Sequence, residues 1–202
     1  MADTPSIDMI TADLDRLGQH IKDFNKGAYP AFLFQLHSVL KIHDILEMRL
    51  SDVYYCDDGC VRLLPEIVFE GEKIHLDEWM RTELAWYAFQ RVAVCNADEE
   101  ALEDWLCVNI HGRQLQSQAY RKMLERTSYE LGFRSNYSVG YLHSLYGYLR
   151  IASGQRTLAE VAREYGVTQY YLQHRIFKGT PIQYEDHIIR QVANMEVDKE
   201  KE

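Results

Sequence analysis

The sequence predicts an α+β domain that is mainly helical, with a small antiparallel β-sheet placed after the first helices. Three observations carry this. Ile7, Ile10, Leu14, Leu17, Ile21 and Phe24 recur at three-to-four spacing, the rhythm of one apolar helix face. The period then changes: Val53-Tyr54-Tyr55 and Cys60 to Leu64 flank Asp57-Asp58-Gly59, and Ile67-Val68-Phe69 and Lys73 to Leu76 flank Glu70-Gly71-Glu72. These are two hairpin turn signals, suggesting about three strands. Helical spacing returns afterwards and persists nearly to the end.

In chain order, residues 6–24 form the first helix, and Asn25-Lys26-Gly27 breaks it. Pro30 opens a second helix, apolar enough throughout to be buried. KIHDILEMRLSDV (41–53) continues helical, with Ile42, Ile45, Leu46 and Leu50 inward. After the hairpins, Asp77 caps a helix running to about Val94. Residues 96–104 are acidic and expected to be exposed. Helices follow at 114–131 and 139–152, stopped by Gly132 and Gly154. Pro181 opens an amphipathic helix over 181–194. Residues 195–202 are a charged tail expected to be disordered. The whole of 1–194 reads as a single domain.

The stretch 157–178 has the grammar of a helix-turn-helix unit. Leu158, Val161, Ala162 and Tyr165 face one way, Gly166 makes the turn, Val167 plugs it, and Thr168 caps a second helix that buries Leu172 and Ile176. Thr168, Gln169, Tyr170, Gln173 and His174 are left outward as candidates for base edges. The same grammar suits a plain helical hairpin.

The net charge of -9 over 202 residues argues against nucleic acid, but the average hides a split. Residues 1–111 carry 9 Lys+Arg against 21 Asp+Glu, whereas residues 112–178 carry 10 against 4, mostly arginines. Arginine's planar fork suits phosphate. The basic half meets either DNA or the acidic half of its own domain. There is no run of apolar residues long enough to span a bilayer and no apolar leader, and four cysteines without a leader suggest reduced thiols, so a cytoplasmic protein is expected. Cys56 and Cys60 should approach across a hairpin rather than bind zinc. His37 and His43 read as core or boundary histidines. No nucleotide-binding or hydrolase motif occurs, and neither cofactor nor metal is expected.

The order of elements resembles the catalytic domain of tyrosine recombinases, the phage integrases, over about residues 6–178. That family's first helix pair reads roughly G-L-R-x-S-E-x-L-x-L-R-W-x-D, and Val39 to Asp52 runs in step with it, most clearly at Ile45-Leu46, Arg49 and Ser51-Asp52. Its second box, H-x-L-R-x-T-F, falls on Gly140 to Leu149. The resemblance implies a pair of arginines, a hairpin lysine, histidines and an attacking tyrosine. Carried over, the first arginine falls on Lys41 and the second on His143. The second-box histidine falls on Gly140, the later histidine on Val167, and the tyrosine on Ile176 or, one residue on, Phe177. The hairpin lysine would be Lys73, crowded by Glu66, Glu70 and Glu72. Tyr170 and Tyr171 lie some five residues early for the nucleophile.

These substitutions lead to the expectation of a chain that is not an enzyme: a catalytically inactive DNA-binding protein, regulatory or accessory to a phage or mobile element. Lys41 and His143 retain or can gain positive charge, so they either hold a phosphate or are merely tolerated polar residues. Phosphate contacts are assigned to them and to Arg113, Arg121, Lys122 and Arg126, and further along to Arg150, Arg156, Arg163 and Arg175. The expected partner is double-stranded DNA, without membrane association. Helix 181–194 could also join a recombinase or a second copy. Two alternatives stay open: a protein-interaction module, and an active recombinase with a displaced tyrosine.

Overall fold

The computed structural model describes residues 7–69, 71–91, 99–133 and 137–177. The expected helix 181–194, the tail, Arg134 and Lys178 lie outside them.

Helix α1 (Ile7–Phe24) buries Ile10, Leu14, Leu17 and Ile21, as its apolar rhythm requires. Each such side chain contributes about 1.5–3 kcal/mol when fully buried. Helix α2 (Tyr29–His37) has Pro30 in its first turn and is buried at every position from Tyr29 to Gln35. It packs on α1, α4 (Glu78–Arg91) and α6 (Val139–Ala152), and on α3 (Ile42–Glu47). α5 (Ser117–Glu130) packs against α1 and α3. The buried Gln35 amide donates to the Val139 carbonyl at 3.2 Å, tying α2 to the start of α6.

Two boundaries differ from the sequence expectation. The stretch 41–53 is not one helix: α3 ends at Glu47, because Met48 turns extended and Arg49 bridges antiparallel to Trp105. The Arg49 guanidinium lies 3.7 Å over the Trp105 ring, so this arginine is structural. The sheet is two separate hairpins, β1 (Tyr54–Asp57) with β2 (Cys60–Leu63), and β3 (Ile67–Phe69) with β4 (Glu72–Ile74). Asp58 and Gly59 at the first turn take φ of 48° and 74°, the left-handed pair that a two-residue hairpin needs.

The Asp77 cap is as expected, its carboxylate accepting from the Met80 amide at 2.7 Å. The acidic 99–104 stretch is not simply exposed: Glu99–Glu103 is a 3-10 turn that buries Leu102, and Asp104 pairs with Arg91. Helix α7 (Leu158–Glu164) is closed by a capping box in which Thr157 and Glu160 bond reciprocally. Gly166 turns the chain at φ 62°, and Thr168 caps α8 (Gln169–Tyr171), which runs on as a π-helical turn, Leu172–Ile176.

α7 crosses α6 at Gly147, where an added Cβ would stand 2.7 Å from a Val161 methyl and 3.0 Å from the Tyr165 ring. Gly140, on the same helix, faces open space. Gly147→Ala is therefore expected to lower stability in urea unfolding by about 1–3 kcal/mol through overpacking. Gly140→Ala should not lower it, and should raise it by about 0.5–1 kcal/mol from helix propensity.

Candidate functional site

The N-terminal half of α6 gathers most of the family-register positions. His143 is half-buried, and its ring meets Tyr165 edge-on at 5.1 Å. Burial holds its imidazole below the ordinary value, and the Lys41 charge adds to this, while the Leu40 backbone and Asp44 pull the other way. The two residues expected to share a phosphate thus stand near enough to feel each other's charge. Lys41 is exposed, and the His143 Nδ1 is buried with no hydrogen-bond partner among the described residues.

One residue on, the Ser144 hydroxyl is 2.9 Å from both the Gly140 and the Ile176 carbonyl oxygens. This ties Ile176, where the resemblance puts the tyrosine, to the residue that follows His143. Tyr148 meets Phe177 edge-on, and Phe177 is fully buried. The Tyr165 hydroxyl donates to the His143 carbonyl at 2.5 Å and accepts from the Gly147 amide at 3.3 Å, which fixes α7 on α6. Val167 is half-buried in the turn.

The remaining phosphate candidates divide. Arg113, Arg121, Lys122, Arg163 and Arg175 are exposed and make no ion pair with a carboxylate among the described residues. Arg126 pairs with Glu130 at 2.7 Å, and Arg150 and Arg156 each reach Glu164 at 3.2 Å. Of the base candidates, Thr168, Gln169, Tyr170 and His174 are exposed and Gln173 half-buried. Thr168 spends its hydroxyl accepting from the Tyr171 amide at 3.2 Å, and the Tyr170 and His174 rings meet at 4.3 Å, tilted by 43°. Tyr171 is also exposed.

Lys73 lies on β4 and is tied to Glu66; Glu70 and the Glu72 side chain lie outside the described residues. The cysteine expectation needs correcting. Cys56 is opposite Val61 and Cys60 opposite Asp57, so the two thiols point to opposite faces of the hairpin. Among the described residues no cluster of ligating side chains suits a metal ion. No helix among them is long and apolar enough to cross a membrane. His37 is a boundary residue, 3.5 Å from Asp77 and in tilted ring contact with Trp79, while His43 is exposed beside Glu47.

Sequence reasoning missed a polar cavity beside this site. It measures about 160 Å³ and draws on His37, Lys73, His75, Tyr146, Arg150, Arg156 and Glu164. The Tyr146 hydroxyl donates to Glu164 at 3.0 Å and accepts from Arg150, and burial, more than Glu164, pushes its pKa up to about 12. The only sequence signal was Tyr146 and Arg150 at i,i+4 spacing on one helix face.

Burial lowers the His37 imidazole too; Asp77 opposes the shift and Arg150 adds to it. Both His37 and His143 bind a proton more weakly folded than unfolded. Their contribution to stability is present in full above the ordinary value of 6.5 and is lost as pH falls from there through their lowered values. Melting temperature should drop on acidification below that value, and a His37→Gln/His143→Gln variant should show a flatter profile. An equally steep fall in the variant would assign the loss to other groups.

No family model and no curated protein sequence matches the chain. Solved structures do. The XerA recombinase superposes with a TM-score of 0.65 at 13% identity, covering 97% of this chain and 64% of its own. The XerH site-specific recombinase, in a post-cleavage complex with palindromic difH substrate, superposes at 0.60 and 13% identity, over 96% and 53% respectively. The chain thus spans between half and two thirds of these recombinases. The expectation of a non-enzyme is overturned by this likeness: the structures that share the fold are site-specific recombinases, which are enzymes. At 13% identity, mismatches in a motif register do not establish a loss of chemistry. The chain has the fold of a tyrosine-recombinase catalytic domain.

Proposed function

We propose that this chain is a recombinase-related protein that binds double-stranded DNA, in the service of a phage or mobile element. The supporting observation is the likeness in fold, over nearly the whole chain, to a recombinase held with its DNA substrate. The single domain would reach to residue 194. Its contacts are phosphate contacts first. Arg113, Arg121, Lys122, Arg163 and Arg175 are exposed without carboxylate partners among the described residues, so they meet a phosphate without breaking an ion pair. Lys41 offers a further exposed cation, with the half-buried, largely neutral His143 beside it as a hydrogen-bonding group. Thr168, Gln169, Tyr170, Gln173 and His174 take the base edges, with the exposed Tyr170 and His174 rings in contact at one end of that surface.

A partner-protein reading is favoured by one observation. Arg126, Arg150 and Arg156 are already paired with glutamates, which reduces the basic field of residues 112–178. In that reading the acidic first half meets a recombinase or a second copy.

Salt separates the two readings. Affinity for a random-sequence duplex, followed by fluorescence anisotropy, should fall steeply as salt rises, because phosphate contacts release counterions. Replacing Arg121, Lys122, Arg163 or Arg175 singly by glutamine should reduce the log–log slope by about one. No binding at low salt, or a flat response, would falsify the DNA reading.

A further inference from the structure

We propose that the cavity between β4, the end of α2 and the α6–α7 pair is a phosphate site, held shut by the chain's own Glu164. Three donors hold that carboxylate. Arg150 Nη1 lies 3.2 Å from one carboxylate oxygen and Arg156 Nε lies 3.2 Å from the other. The Tyr146 hydroxyl donates to the same oxygen as Arg150, at 3.0 Å. Two arginines on two oxygens, with a hydroxyl as a third donor, is the donor set that recognises a phosphate oxyanion. Glu164 stands in for that oxyanion.

The cavity is larger than a carboxylate needs. At about 160 Å³ it accommodates a phosphate group, and its remaining wall adds His37, His75 and Lys73. His37 feels the Arg150 charge directly. Lys73 carries its own ion pair to Glu66, so it is a cation kept near neutral balance in the closed state. The Arg150 and Glu164 side chains are 22% and 28% exposed, sheltered enough to order the pair yet open to exchange with solvent ions. An incoming phosphate takes both arginines and Tyr146, and Glu164 turns out to water. The site is separate from Lys41 and His143, which do not line this cavity.

The inference deepens the phosphate-contact reading, but its small-anion arm stands without it. Two ligand sources share this chemistry, a DNA backbone phosphate and a free phosphate. Wild type, Glu164→Gln and Glu164→Gln/Arg150→Gln are titrated with inorganic phosphate and with a random-sequence duplex at fixed ionic strength. Circular dichroism melting checks that each is folded. Removing the internal carboxylate should tighten phosphate binding on the order of tenfold. Adding Arg150→Gln should cancel the gain. Tightening with both probes supports the site and makes DNA its source. Tightening with inorganic phosphate alone supports a free-phosphate site and removes DNA as its ligand. No tightening with either overturns the proposal. Should Glu164→Gln not fold, the wild-type chain carries the test: the His37 and His75 ring resonances should shift saturably with phosphate, more than with matched chloride, and equal response to both ions overturns it.

Discussion

A helix that is apolar on every face cannot meet water anywhere, and α2 is such a helix. From Tyr29 to Gln35 no residue is exposed, so other elements must enclose it: α1, α3, α4 and α6 do so. This one constraint organises the domain. It leaves α2 in the middle, with its His37 end opening toward the polar cavity. The single polar interruption, Gln35, is turned to use by reaching the Val139 carbonyl and setting where α6 begins. Enclosing the helix has a functional consequence too, since the turn after α2 carries Lys41 to the flank of α6.

α6 relays that placement to the rest of the site. Gly147 removes the side chain that would keep α7 away, and Tyr165 then bonds across to the His143 carbonyl. Ser144 reaches the carbonyl of Ile176 and fixes the π-helical turn. Tyr146 and Arg150, further along, hold Glu164 of α7. These contacts along one helix hold the stretch from Val161 to Ile176 against α6.

Local chemistry makes much of this legible in the sequence. The α1 rhythm, the caps at Asp77 and Thr168, and the glycine stops at Gly132, Gly154 and Gly166 each report a short-range requirement written in adjacent residues. The break between α2 and α3 is not legible, because apolar content runs on through it; what ends α2 is Ser38, extended and bonded back to the Phe34 carbonyl at 2.6 Å. The Arg49–Trp105 stack and the convergence of His37, His75 and Arg150 are hidden for a different reason. They depend on which elements enclose α2, and no window of sequence contains both partners. Motif register alone does not decide the chemistry: the fold is shared with recombinases whose sequences are only 13% identical.

The central claim is that the cations Arg113, Arg121, Lys122, Arg163 and Arg175, unpaired among the described residues, meet DNA together with the 168–174 segment. Hydrogen–deuterium exchange with and without a duplex tests it directly. Protection is expected over residues 113–122 and 157–177 and around Lys41, with the α4 surface unchanged. Protection confined to α1 and α4, or none at saturating duplex, would contradict the account.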